Sequence, residues 1–425
     1  MARVAVYDTF DRDINTRGDR LLWGAEPIVT MAITTNLTHR FATARGPTLV
    51  YLVTEDWYFL SHRLPMARAA QQAGYRVHVA TRVGKGGAAI EGLGFTLHPI
   101  MWQRGSTNPF NLVANIRQVR ALYKELRPDL AHHVGLQPSV VGSLAAVGLP
   151  IALLNALTGL GFAFTSRDLK ASFLRPFMSL LLRLLLMRRG VSALVQNPDD
   201  DAALRSLGVD PAKIDLIPGS GVDTHALKPL PEPGGEVSIA FVGRLLDDKG
   251  IRPLVAAHEL MRRQGQQVRL LIAGDPDPAN PASIPVGEIE RWRHLPDVEV
   301  LGHVVDIEAV WARSHIAVLP SRREGLPKGL LEAAAHSRPI VATDVPGCRE
   351  IARHGHNAFL VPVDDPAPLA GALTVLARDP ALRRRMGATG RAMVEREFSS
   401  DLIGREIVAL YGRFTGRKVE LLPAP

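Results

Sequence analysis

The chain has 425 residues and a single cysteine, Cys348. A lone thiol excludes a disulfide framework and a cysteine-rich zinc site, and it fits a reducing compartment. Cys348 itself reads as a small residue in a turn. Acids are outnumbered by bases, 42 to 50, and the formal charge of +8 favours anionic partners. Nucleic acid is not read among them, because no helix-turn-helix, zinc-finger or basic–aromatic motif is present. Residues 1–46 lack an apolar core region, so no secretory signal is read there. They also lack hydrophobic periodicity. The segment reads as a disordered extension, or as sequence ahead of a true start at Met31. No P-loop, GxGxxG turn or zinc-ligand spacing occurs. Charge is missing altogether between Val134 and Ser166. Such a run is long enough to span a membrane, but Gly142, Gly148, Pro150, Asn155, Gly159 and Gly161 break it. It reads as a helix over Ser139–Val147, a strand over Pro150–Asn155 and a glycine loop, because buried parallel strands are apolar on both faces.

What is present is an alternation of strand and helix patterns, the signature of parallel α/β sheets. The length suffices for two cores. TLVYLVT, YRVHVAT, FTLHPI and DLAHHV read as strands of a first domain, residues 47–192, with helices over Leu64–Ala73 and Asn115–Leu126. ALVQNP, KIDLIP, SIAFVG, RLLIAG, VEVLG, IAVLP, PIVATD and AFLVP read as strands of a second, residues 193–397, with a helix over Asp199–Leu207. PLPEPGGE (Pro229–Glu236) reads as a loop inside that second half. Residues 398–425 read as a helical segment that crosses back to the first domain.

The densest chemistry lies in SRREGLPKGLLE, Ser321–Glu332, behind the apolar strand IAVLP. Glu324 falls in a loop at the carboxyl end of that strand. Glu332 falls inside a helix that Pro327 is suited to start. Ligands of open α/β sheets bind at this end, where a helix N-terminus offers free N–H groups. A diphosphate suits the place, with the two carboxylates gripping neutral hydroxyls. Flanking Leu330, Leu331, Ala333 and Ala334 make the helix a buried one, where an unpaired Glu is costly. GRLLDDKG sets Arg244 and Lys249 in the loop after another strand. Alone, these read either as solvated charges paired with Asp247 and Asp248 or as cations for a polyanion.

With YLVTEDWYFLSHR, RPDLAHHVGLQPS, NALTGLGFAF, LIPGSGVDT, LIAGD and ATDVPGCREIARHGHNAFLVPVDD, these segments resemble the retaining glycosyltransferases of family four. The N-terminal set is similar to the subgroup that builds bacterial capsule, O-antigen and lipid-linked glycans. The resemblance implies α/β architecture of the GT-B type, two Rossmann-like parallel-sheet domains facing a cleft. It implies that Arg244 and Lys249 contact the donor diphosphate, Glu332 the ribose and Glu324 the transferred sugar. The backbone of Gly325, Leu326 and Pro327 lines the same pocket. Gly221 and Asp223 fit either a cleft-facing turn or a glycine turn with Asp223 as a cap. The family carries a histidine near the donor sugar. His132 and His133 are the candidates, and adjacent strand residues point to opposite faces, so at most one reaches the cleft. Glu55, Trp57 and His62 follow the first strand, where related enzymes carry a glycine pair, and suit acceptor binding. Thr158–Phe162 is a loop that meets substrate or packs its phenylalanine in the core.

The activity implied is retaining, metal-independent transfer of a sugar, UDP-linked by default, to a polyprenyl-diphosphate-linked saccharide. No cofactor or metal is called for. Asp199–Asp201, Asp275–Asp277 and Asp364–Asp365 are read as a helix N-terminus and two loops rather than a metal-binding DxD motif. The alternatives are a sugar-nucleotide epimerase of similar shape and a non-catalytic nucleotide-sugar-binding relative. Phe173, Leu174, Phe177, Leu180, Leu181, Leu184 and Leu185 recur at helical spacing. They are bordered by Arg167, Lys170, Arg175, Arg183, Arg188 and Arg189. Such a helix either lies on an anionic leaflet or belongs to the core. The first option implies a cytoplasmic protein held on the inner face of the plasma membrane.

Overall fold

The computed structural model describes residues 46–102, 108–157 and 179–417. The extension before Gly46, the Thr158–Phe162 loop and the part of the basic apolar stripe before Ser179 lie outside the described residues.

Two all-parallel sheets form. The first holds β1 (Thr48–Glu55), β2 (Arg76–Arg82), β3 (Thr96–Pro99), β4 (Leu130–Val134), β5 (Ala152–Ala156), β6 (Val191–Val195) and β7 (Ile214–Leu216), in the order β3-β2-β1-β4-β5-β6-β7. The second holds β8 (Ser238–Val242), β9 (Arg269–Ala273), β10 (Val298–Gly302), β11 (Ile316–Leu319), β12 (Ile340–Thr343) and β13 (Ala358–Val361), in the order β10-β9-β8-β11-β12-β13. In each sheet the strand order reverses beside its first strand, between β1 and β4 and between β8 and β11. Crevices open at such reversals, beyond the carboxyl ends of the strands.

The apolar runs of the strands follow from burial on both faces. Leu49, Tyr51 and Val53 pack on one side of β1, while Val50 and Leu52 pack on the other. The helix Ser400–Thr415 covers the first of these sides with Ile403, Ile407, Val408 and Tyr411. It lies against the helix Leu64–Gln72, where a Cβ on Gly404 would come 3.0 Å from the Ala69 Cβ. The C-terminal segment therefore packs on the N-terminal sheet.

Several boundaries differ from the sequence reading. ALVQNP and KIDLIP supply β6 and β7 of the first sheet, so the change of sheet falls between Leu216 and Ser238, not at residue 193. An alternating pattern does not say which sheet edge a strand joins. PLPEPGGE, read as an internal loop, lies in the connection between the sheets. A short helix, Asp56–His62, follows β1 directly and was not anticipated. The buried Asp56 accepts the amides of Gly84 at 2.6 Å and Gly86 at 2.8 Å, which fixes that helix on the loop after β2. The uncharged run from Val134 forms the helix Leu136–Ala145 and β5. Among the described residues, no helix is long and apolar enough to cross a membrane.

Candidate active site

The loop after β8 and the loop after β11 are held together before any side chain is considered. Gly250 has φ +71°, and a Cβ there would lie 1.9 Å from the Pro320 carbonyl oxygen. Only glycine allows that approach. It brings the turn Asp247–Lys249 beside the β11 loop. Ion pairs then lock the two together. Arg322 grips Asp364 through Nε at 2.8 and 2.9 Å and also pairs with Asp247, while Arg323 pairs with Asp248. Burial pushes the Asp247 carboxyl up, but Arg322 and Arg252 outweigh it and hold it below the usual range. Asp247 and Asp248 thus serve the scaffold and do not pair with Arg244 or Lys249.

Those two cations meet other acids. Lys249 Nζ donates to Glu324 Oε1 at 2.5 Å, and Ser321 Oγ donates to the same oxygen at 2.6 Å. Arg244 pairs with Asp277 at 2.8 Å. Lys328 pairs with Glu332 at 3.2 Å, one turn apart on the helix Lys328–Ala335. Behind Glu324, Gly347 has φ +78°, and a Cβ there would come 2.4 Å from the Gly325 oxygen and 2.7 Å from the Glu324 oxygen. Asn197 donates to the Gly325 carbonyl at 3.0 Å from the N-terminal side of the cleft.

A cavity of about 190 Å³ opens between the carboxyl ends of the two sheets. Arg244, Lys249, Glu324, Gly325, Leu326 and Lys328 line one side, with Gly219–Gly221 beside them. Tyr58, His62 and Arg63 face them from the helix after β1. His62 stacks on Tyr58 at 4.3 Å, and its Nδ1 lies 2.5 Å from Ser61 Oγ. Burial first, then the charges of Arg63, Lys328, Lys249 and Arg244, push its imidazole down to about 3. It is neutral near pH 7.

The remaining candidates divide. Gly221 lines the cavity, whereas Asp223 is exposed and accepts the amides of His225 and Ala226 at 2.9 Å, so it caps a turn. Pro327 is the N-cap of the helix behind Leu326. Glu55 is buried at the end of β1 and takes Arg82 through Oε2 at 2.8 Å, while Trp57 is 43% exposed outside the cavity. Neither histidine of β4 reaches the cleft, and both are 0% exposed. His133 is held by Tyr123 at 2.8 Å and Asn155 at 2.7 Å. His132 stacks on Tyr51 and lies 2.6 Å from the Tyr411 hydroxyl. Of the two candidates, of which at most one was expected at the cleft, neither reaches it, because β4 is a central strand with layers packed on both faces. Sequence reasoning missed Arg63, Tyr58 and Lys328. One signal was available for Arg63: it is a single cation set between Phe59–Leu60 and Leu64–Pro65.

Residues 48–192 match the model of the glycosyl transferase 4-like family, and residues 236–379 match that of the glycosyl transferases group 1. A capsular polysaccharide biosynthesis glycosyltransferase, CapM, from Staphylococcus aureus is 31% identical over 41% of this chain and 46% of that protein. The chain thus spans under half the length of that relative. The N,N'-diacetylbacillosaminyl-diphospho-undecaprenol alpha-1,3-N-acetylgalactosaminyltransferase of Campylobacter jejuni is 23% identical over 84% of this chain and 98% of that protein. Among solved structures, Anabaena Alr3699/HepE in complex with UDP-glucose superposes with a TM-score of 0.69 at 18% identity, covering 86% of this chain and all of that one (100%). With both halves matched in order and the two sheets arranged about one cleft, the chain belongs to the glycosyltransferases of family four and has the GT-B fold.

Proposed function

We propose that the protein transfers a sugar, with retention and without a metal, from a nucleoside diphosphate donor to a lipid-linked saccharide during synthesis of a cell-surface glycan. The observation that carries this reading is the pre-formed Lys249–Glu324 pair at the junction of the two crevices. A donor lying there sets its diphosphate against Lys249 and Arg244 and its sugar hydroxyls against Glu324. Glu332 then lies within the helix that faces the ribose. As the bond from the anomeric carbon to the phosphate oxygen breaks, the leaving diphosphate gains charge that the two cations stabilise. The acceptor oxygen bonds to the same carbon on the same face, and its proton goes to the departing phosphate oxygen. His62, held neutral, does not supply a proton near pH 7. The UDP-glucose bound to the Anabaena relative favours a UDP-linked donor, and the undecaprenol-linked substrate named for the Campylobacter relative favours a lipid-linked acceptor.

A membrane surface suits such an acceptor. Leu180, Leu184 and Met187 are all more than half exposed, with Arg183 and Arg189 alongside. An apolar face with a basic border lies well in the headgroup region of an anionic leaflet. Flotation with anionic but not neutral vesicles is expected. Equal flotation after joint exchange of Arg183, Arg188 and Arg189 for Glu, in a folded protein, excludes this helix as the contact. For the transfer itself, a thermal-shift screen of nucleotide sugars selects the donor, since a ligand bound only to the folded state raises its stability. Transfer of that sugar to a lipid-linked acceptor is expected to persist in excess EDTA. Abolition by EDTA with rescue by Mn²⁺ contradicts the metal-free mechanism.

A further inference from the structure

Four cations line the cleft: Arg63, Arg244, Lys249 and Lys328. The three from the C-terminal half each meet a carboxylate, Asp277, Glu324 and Glu332 respectively. Arg63, from the N-terminal half, meets none among the described residues. Its side chain is 1% exposed. It donates from Nη1 to the His62 carbonyl at 2.9 Å, while its Nε is buried without a hydrogen-bond partner. Among the groups that feel its charge are His62, His132, Tyr51 and Tyr411. All four are neutral: burial holds the tyrosines protonated and the histidines unprotonated. A buried guanidinium without a carboxylate partner is costly unless a counter-charge arrives. The cavity it lines gives an anion a route to it.

We propose that Arg63 is an oxyanion-binding residue that takes a phosphate oxygen of a diphosphate-bearing substrate, across the cleft from Arg244 and Lys249. The proposal rests on the transfer reading given above. A planar fork with free N–H groups matches the paired oxygens of a phosphate better than a point charge does. The phosphate belongs either to the nucleotide donor or to the diphosphate of a lipid-linked acceptor. In both cases substrate binding supplies the charge that the folded protein lacks at this position, and it ties the N-terminal wall to the C-terminal one.

The test uses the full chain and Arg63→Met, which keeps length and removes charge. Inorganic pyrophosphate, UDP and farnesyl diphosphate are titrated by calorimetry, with thermal melts in parallel. Without ligand, the variant is expected to melt at or above the wild-type temperature, while pyrophosphate binds about 10-fold or more weakly, as for a lost charge-assisted contact. A parallel loss for UDP assigns the phosphate to the donor. A loss confined to farnesyl diphosphate assigns it to the acceptor. Undiminished binding of all three probes overturns the proposal, as does wild-type protein that binds none of them. A lower melting temperature with unchanged ligand-induced shifts also overturns it and makes Arg63 structural. Should Arg63→Met not fold, Arg63→Lys takes its place, and unchanged pyrophosphate affinity there is contradictory. Wild-type protein that binds pyrophosphate through Arg63 but no nucleoside diphosphate leaves this proposal standing and sinks the transfer reading. UDP binding indifferent to Arg63, together with intact farnesyl diphosphate binding, does the reverse.

Discussion

On the wall of the cleft that follows β8 and β11, each cation rests on a carboxylate: Arg244 on Asp277, Lys249 on Glu324 and Lys328 on Glu332. On the wall that follows β1, His62 is kept neutral and Arg63 is buried with no acid beside it among the described residues. The first wall has its charges paired, and on the proposed reading those pairs open to admit a diphosphate. The second is incomplete and gains from an anion. On the reading proposed above, the C-terminal wall is a pre-set cradle. On the same reading, the N-terminal wall gains its counter-charge when substrate binds.

The largest effect separating the two is expected in turnover. Arg244→Ala and Lys249→Ala should each lower it by on the order of 10²-fold or more, the usual result of losing one transition-state charge contact. Steady-state transfer assays on folded variants check this, and retained turnover would remove the cradle from the mechanism. Gly347→Ala comes next. The added Cβ presses on the Glu324 and Gly325 carbonyls. A misplacement of about 1 Å can cost about 10²-fold in rate, so activity should fall well before the melting temperature does.

Tyr411→Phe probes the layer behind the N-terminal wall. It removes the hydroxyl that lies 2.6 Å from His132 and 2.7 Å from Tyr51. Leaving a buried polar atom unpaired costs about 1–3 kcal/mol, which urea unfolding measures. Turnover at saturating substrate should not change, because His132 does not face the cavity. A collapse of turnover with stability intact would restore His132 to the chemistry.

The smallest effect concerns pH. His62 titrates near 3 in the folded protein, against about 6.5 for a free imidazole. As pH falls below the ordinary value the unfolded chain takes up the proton first, so stability declines between the two values and is fully present above them. His133, pushed down to about 4 by burial, and His132, lowered well below the usual value, act in the same direction. His62→Gln should therefore flatten part of the acid-side loss in urea midpoints between pH 7 and pH 5. An unchanged slope would mean that His62 is not held neutral by its surroundings.

The two walls also differ in how far the sequence disclosed them. Arg244 and Lys249 share one loop, and Glu324 and Glu332 share one loop-to-helix segment, so spacing alone sets each pair on one ligand. Strand and helix patterns likewise marked all thirteen strands that the topology orders. Their allocation to sheets was not legible, because β6 and β7 join the first sheet by edge pairing that no local pattern encodes. Arg63 was not legible either. Its meaning comes from burial at the end of the helix after β1, beside a cavity shared with the Gly219–Gly221 turn more than 150 residues away. His132 and His133 misled for the converse reason. Two polar residues at a strand end suggest a cleft, but the layers over β4 bury both; His133 is held at both ring nitrogens, and His132 at Nδ1 only.

The central claim is that the Lys249–Glu324 pair is the donor cradle in its resting state. A crystal structure with the nucleoside diphosphate selected by thermal shift tests it most directly. The account predicts diphosphate oxygens within hydrogen-bond reach of Lys249 and Arg244, with Lys249 drawn away from its 2.5 Å contact to Glu324. A diphosphate bound elsewhere, with that contact intact, would contradict it.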